Sequence, residues 1–410
     1  MTASTIAIAP VGRDARVIGL VGLAHGVSHF FHLILAPLFP WLRDAFQLSY
    51  AELGLLMTAF FVVSGIGQAL AGFVVDRIGA WTVLVAGVVF LLLSALVLAG
   101  AQSYPMLLAG SMLAGVGNSV FHPADYTLLN KRVSQPRLGH AFSVHGITGN
   151  LGWAAAPVFL AGIAGLSDWR TALACAAAVP AVVLALLLAN RRLLHADEMR
   201  AAVATPKQGG AAAEGIFDFL RLPQVWLCFA FFFITALALA GIQSFAATGL
   251  RALYGMSLVW ATSGYTAYML ASAAGMVWGG FLAAKATRHD RTIAIAFSFA
   301  GAMAMTIATG MVPAAVAVVL MGAVGFGAGI AGPSRDLLIR AAAPKNATGR
   351  VYGVVYSGLD SGLAVGPLLF GALMDAHRPA WVFVMIGVFQ VLALATAVGV
   401  GANTFRRAAA

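Results

Sequence analysis

His25, His29 and His32 stand at i, i+4 and i+7, so a helix through them carries all three imidazoles on one face. An imidazole can exchange hydrogen bonds, pass a proton near neutral pH or ligate a transition metal. A metal asks for further donors, and this span offers no Cys, Asp or Glu companion, so no metal motif is present. The stripe reads either as the polar wall of a cavity or as packing residues held by hydrogen bonds. Asp360 is an acid inside an apolar run. It can load and release protons there, or stay permanently hydrogen-bonded to a neighbouring helix, for example through Ser357 or Ser361. Asp125, three residues after His122, and Arg335 form a further pair of opposite charge, each two residues after a proline, Pro123 and Pro333.

The elements that position these residues follow from composition. Of 410 residues 61% are hydrophobic and 9% charged, against about 25% charged in an ordinary soluble domain. The bilayer is therefore the solvent. A hydrocarbon core of roughly 30 Å takes about 20 apolar residues per helix, and we expect twelve spans, centred near residues 28, 62, 91, 116, 151, 181, 236, 270, 302, 326, 361 and 392. At about 1.5 Å per residue, His25 lies about 14 Å and His29 about 20 Å beyond Arg16, and Asn150 and Asp360 lie about 18 Å into theirs. An ionisable side chain at that depth costs about 2.5–3.5 kcal/mol. Asp360, with His25 and His29, is the expected proton-coupling set. His25, His29, His32, Asn150, His145, Tyr356 and Arg335 are the expected solute-binding set.

An internal repeat organises the chain. Gly115, Gly117, Pro123, Gly139 and Pro157 recur as Gly325, Gly327, Pro333, Gly349 and Pro367, at a constant offset of 210 residues. Asn150 and Asp360 are equivalents under the same offset. A parallel repeat in so apolar a chain implies two lobes with a substrate path between them. The expected division is an N-terminal six-helix lobe over 1–190, a polar linker over 191–221 and a C-terminal lobe over 222–410. With both termini and the linker on one side, the other side holds only Arg43, Arg170, Arg251 and Arg378, while Arg335 lies within a span. This asymmetry places both termini in the cytoplasm. It also accounts for the net charge of +10 through anionic lipid, so no nucleic-acid partner is expected. Met1 to Arg16 has no apolar core of signal-peptide length, so the first span is expected to anchor the mature protein. Cys175 and Cys228 lie in separate halves, without a disulfide framework or metal-ligand spacing.

Gly72-Phe73-Val74-Val75-Asp76-Arg77-Ile78-Gly79 resembles the Gly-x-x-x-Asp-Arg-x-Gly signature of the major facilitator superfamily. The basic cluster usual after its last glycine is replaced by Ala80-Trp81-Thr82. Its two glycines suit a tight turn at the membrane surface, while Asp76 and Arg77 serve either as a gate latch or as a solvated salt bridge. The string Gly115-Val116-Gly117 to Phe121-His122-Pro123, followed by Gly149-Asn150-Leu151-Gly152 and Pro157, is similar to the fosmidomycin-resistance branch of drug and metabolite exporters. The arginine that many of its members carry four residues before the Gly-x-Gly is Ser111 here.

The resemblance implies an all-α membrane protein with twelve transmembrane helices in two six-helix lobes. It implies a proton-coupled transporter that exports a small organic solute by alternating access, an efflux antiporter of a bacterial inner membrane. Asp76, Arg77, His122, Asp125 and Arg335 are the expected gate residues, with Asp125 and Arg335 either meeting across the lobes or paired separately. Uptake of a small organic anion is the alternative within transport, and a membrane enzyme or sensor the alternative outside it. No phosphate loop, nucleophile elbow or metal motif supports an enzyme. The expected partners are solute, protons and lipid, for a monomer without a cofactor.

Overall fold

The computed structural model describes residues 10–195, 221, 223–286, 288–342 and 348–409. Most of the linker expected over 191–221 lies outside the described residues, as do the side chains of Asp76 and Tyr356. Among the described residues every regular element is helical. The N-terminal lobe holds α1 (Val11–His32), α2 (Phe39–Phe46), α3 (Tyr50–Ile78), α4 (Ala80–Ala99), α5 (Tyr104–Asn118), α6 (Phe121–Arg132), α7 (Leu138–Leu166) and α8 (Trp169–Ala189), with the short α9 (Arg191–His195) after it. The C-terminal lobe holds α10 (Pro223–Tyr254), α11 (Leu258–Lys285), α12 (His289–Ala308), α13 (Ala314–Ala342), α14 (Thr348–Asp375) and α15 (Pro379–Ala409).

Shifting the first lobe by the repeat offset carries α3 onto α11, α4 onto α12, α7 onto α14 and α8 onto α15, with ends that agree within a few residues except that α15 runs on past the end of α8. Two spans of the first lobe are broken where their counterparts are continuous. The first is α1 and α2, separated by a 3-10 turn at Ala36–Leu38, where Pro37 and Pro40 each sit in a first helical turn that needs no donor from them. The fourth is α5 and α6, interrupted at Ser119 and Val120.

A proline within a helical span removes a donor and tends to kink it. Pro123 lies in the first turn of α6, just after a two-residue turn at Ser119 and Val120, whereas Pro333 sits inside a continuous α13. The break explains why eleven helices, rather than twelve, are long and apolar enough to cross a membrane among the described residues. The fourth crossing is made by two shorter pieces.

The signature after the second span also folds differently from expectation. Gly72 lies in the interior of α3, and only Gly79 makes the turn, at φ 90°, a conformation that glycine adopts without strain. Arg77 is exposed.

Small residues bring the helices together. A Cβ on Gly152 of α7 would run into the Gly26 carbonyl of α1, and one on Gly149 would meet the imidazoles of His29 and His25. On α14, Gly358, Gly362 and Gly366 lie against Phe229, Phe233 and Ala240 of α10. These approaches are inside each lobe, which is packing that needs no hydrophobic driving force. Gly146, three residues before Gly149 on α7, faces open space. Between the lobes, α3 packs on α14 and α7 on α11, pairings that the repeat exchanges.

Candidate functional site

The close packing of α1 against α7 and the break before α6 deliver five histidines to one place in the first lobe. His25 and His145 stack with ring centroids 3.5 Å apart. The His29 ring lies 4.4 Å from His25 on one side and 4.3 Å from Trp153 on the other. His122, in the first turn of α6, stands 5.3 Å from His25, edge on. Asp125 lies one helical turn after His122 and is fully buried. Its Oδ2 is 3.1 Å from His145 Nε2 and 3.3 Å from His25 Nδ1.

The expectation of a stripe on one face of α1 is therefore extended by His122, Asp125 and His145 from two other helices. Exposure differs within the stripe. His25, His32 and His145 are buried, while His29 and His122 are half-buried.

His32 is fully engaged. Trp153 Nε1 donates to its Nδ1 at 3.3 Å, and its Nε2 stands 3.1 Å from Asn118 Oδ1. That amide oxygen also accepts from Ser28 Oγ at 2.6 Å, while Asn118 Nδ2 donates to Ser64 Oγ at 2.8 Å. An indole only donates, so the network holds His32 as the neutral tautomer with its proton on Nε2. Expected to bind solute, His32 is thus occupied in tying α1 to α5 and α7.

Asp360 is hydrogen-bonded to a neighbouring helix, through Gln68. Its Oδ2 accepts from Gln68 Nε2 of the opposite lobe at 3.0 Å, and Gln68 Oε1 is 2.9 Å from His122 Nδ1. The amide oxygen accepts, so His122 Nδ1 carries the proton. One amide thus joins the carboxyl of one lobe to the imidazole cluster of the other. The repeat equivalent, Asn150, also crosses between the lobes, with Nδ2 3.3 Å from Met276 Sδ.

Of the two readings of Asp125 and Arg335, meeting across the lobes or pairing separately, this structure has them apart. Asp125 is enclosed by imidazoles of its own lobe, and Arg335 lays its guanidinium over Phe232 of the other, 5.2 Å from the ring centre. The break before α6 is the physical reason, since it places Asp125 in the lobe interior rather than at the mouth. The contact that does join the lobes at their far end comes from Asp375. Its two oxygens accept from the Tyr50 and Ala51 backbone N–H groups at 2.7 and 2.8 Å, a carboxylate on the orphan donors of the α3 N-terminus. Thr58 Oγ1 adds a bond to the Ala364 carbonyl at 2.6 Å.

Gln68, Asn118 and Asp375 escaped the sequence reading. Gln68 and Asn118 are lone amides in apolar runs, a weaker form of the signal that singled out Asp360. Asp375 looks like an ordinary helix-end acid in sequence.

A family model described as the Major Facilitator Superfamily matches residues 21–366. The chain is 25% identical over 269 residues to the fosmidomycin resistance protein of Escherichia coli K12, covering 64% of each chain. It is 27% identical over 142 residues to the uncharacterized MFS-type transporter YfnC of Bacillus subtilis 168, covering 35% of this chain and 34% of that protein. The matches thus span less than two thirds of these relatives' lengths. Among solved structures, a bacterial homolog of the human lysosomal transporter Spinster superposes over 97% of both chains at 16% identity. The TM-scores are 0.72 for its inward-facing, occupied form and 0.74 for its inward-facing, unoccupied form. At that identity the likeness concerns the fold.

Proposed function

We infer that this chain, which belongs to the Major Facilitator Superfamily, is a proton-coupled secondary transporter that exports a small organic solute by alternating access. One observation carries the reading. The Asp360 carboxyl sits on one lobe and takes its hydrogen bond from Gln68 on the other. Any movement that parts the lobes must break that bond, so the free energy of holding the carboxylate or its protonated form depends on the state of the lobes. That dependence is coupling in the thermodynamic sense.

Solute is expected against Asn150 and the half-buried His29 and His122. The Asp375 and Thr58 bonds support a state closed at the end away from the linker. With the linker end assigned to the cytoplasm by its basic residues, that state is inward-facing. The membrane is then the inner membrane of a bacterium. Export rests on similarity to a protein whose name records resistance to a drug.

Purified protein in liposomes with an entrapped pH dye tests the reading against a panel of antibiotics and metabolites. A solute that moves protons through the wild type, and not through Asp360→Asn, supports it. Solute flux that ignores an imposed pH gradient would remove proton coupling.

A further inference from the structure

We propose that the first lobe holds a divalent transition-metal ion between His25 Nδ1, His145 Nε2 and an oxygen of Asp125. The sequence of α1 alone argued against a metal, for lack of companion donors. The fold supplies them from α6 and α7. The three ligating atoms lie within 4.8 Å of one another; His145 Nε2 is hydrogen-bonded to Asp125 Oδ2 at 3.1 Å and His25 Nδ1 lies 3.3 Å from the same oxygen, so an ion there would take the place of the bonding proton at separations that donors around one ion also have. Bonds of about 2.0–2.1 Å in a tetrahedron set ligand atoms about 3.3 Å apart.

The hydrogen bonding is incomplete in the way a missing ion explains. His25 Nδ1 is buried and near Asp125 Oδ2, yet outside hydrogen-bond geometry, and Asp125 Oδ1 is buried with no partner. His25 is 2% exposed, His145 3% and Asp125 0%. Asp125 takes one hydrogen bond, from His145 Nε2 to Oδ2; a buried carboxylate short of donors is costly, and a dication would meet one of its oxygens and the lone pairs of both imidazoles together. Imidazole nitrogen with one carboxylate suits zinc or its first-row neighbours, whereas magnesium and calcium favour oxygen donors. Three protein ligands leave a fourth position for water or for a donor atom of the solute. All three ligands belong to one lobe, so the ion would brace α1, α6 and α7 without locking the lobes together.

The test uses full-length protein, freed of any affinity tag, purified in detergent and stripped with a chelator. Zn²⁺ titration should show one saturable site per chain, and Co²⁺ should give the visible absorption bands of a tetrahedral centre. Asp125→Asn and His145→Gln should each weaken Zn²⁺ binding at least tenfold, while His29→Gln leaves it within about twofold. Thermal unfolding of the apo proteins identifies variants that fail to fold. The wild-type result stands without them, because absence of a stoichiometric site in folded wild type overturns the proposal. So does a site lost on His29→Gln and kept in Asp125→Asn. Binding is read at equilibrium without a gradient, so its failure leaves the transport reading untouched, and failed proton coupling leaves this one untouched.

Discussion

In the proposed coupling Asp360 supplies the titrating oxygen and Gln68, hydrogen-bonded to it from the other lobe, the lobe-dependent partner. Asp360→Asn keeps the shape and removes the titration. It should abolish gradient-driven flux while sparing solute exchange at equal pH, and full gradient-driven flux in the variant would count against the assignment. Gln68→Leu, which leaves the carboxyl in place, should instead shift the pH at which half-maximal transport occurs, measured from initial rates across a pH series. Accessibility gives a second residue-scale prediction. Cysteines at His29 and His122 should react with a small water-soluble thiol reagent and be protected by solute, whereas cysteines at His25 and His145 should react at least tenfold more slowly in the state described. Equal labelling at all four would mean that the cavity reaches deeper than the structure places it. Asp360 and the histidine stripe were legible in sequence because charge and imidazole are rare in apolar runs. Their partners were not, because hydrogen-bond pairing depends on which helices meet.

Helix α7 shows how much of an element can be read from its small residues. Gly149 and Gly152 stand in sequence as a glycine motif, and the structure supplies the neighbour they approach, the backbone of α1 at Gly26 together with the imidazoles of His25 and His29. A side chain at Gly152 has nowhere to go. Gly152→Val should therefore destabilise the lobe by about 1–3 kcal/mol, the usual cost of overpacking, visible as a lower unfolding temperature in detergent. Gly146→Ala, facing open space, should leave that temperature unchanged. The break between α5 and α6 was less legible. The same proline stands at equivalent places in both lobes, yet only the first lobe breaks, just before Pro123. Proline removes a donor and crowds the preceding turn, but whether a helix kinks or parts depends on neighbours able to satisfy the freed backbone groups. That information is tertiary, and it decides where Asp125 goes.

The duplication is the feature of the whole molecule that survives most completely from sequence to structure. Equivalent helices form equivalent lobe contacts, α3 with α14 and α7 with α11, and the equivalent polar residues Asn150 and Asp360 both reach across. Asp125 and Arg335 stand apart in this state, and Asp375 on the α3 N-terminus joins the lobes at the far end. Hydrogen bonds to a charged group contribute about 1.5–3 kcal/mol, enough to shift a two-state population at least tenfold. Removing the charge with Asp375→Asn should therefore favour the alternative state. Spin-label distances read this directly, with one pair at Ala45 and Ala376 beyond the clamp and a second at His140 and Leu282 near the linker end, all exposed positions. Alternating access predicts that Asp375→Asn raises a population in which the first distance lengthens and the second shortens together. Two distances that lengthen together, or a second distance that stays fixed while the first opens, would contradict rocking of the lobes about a central site.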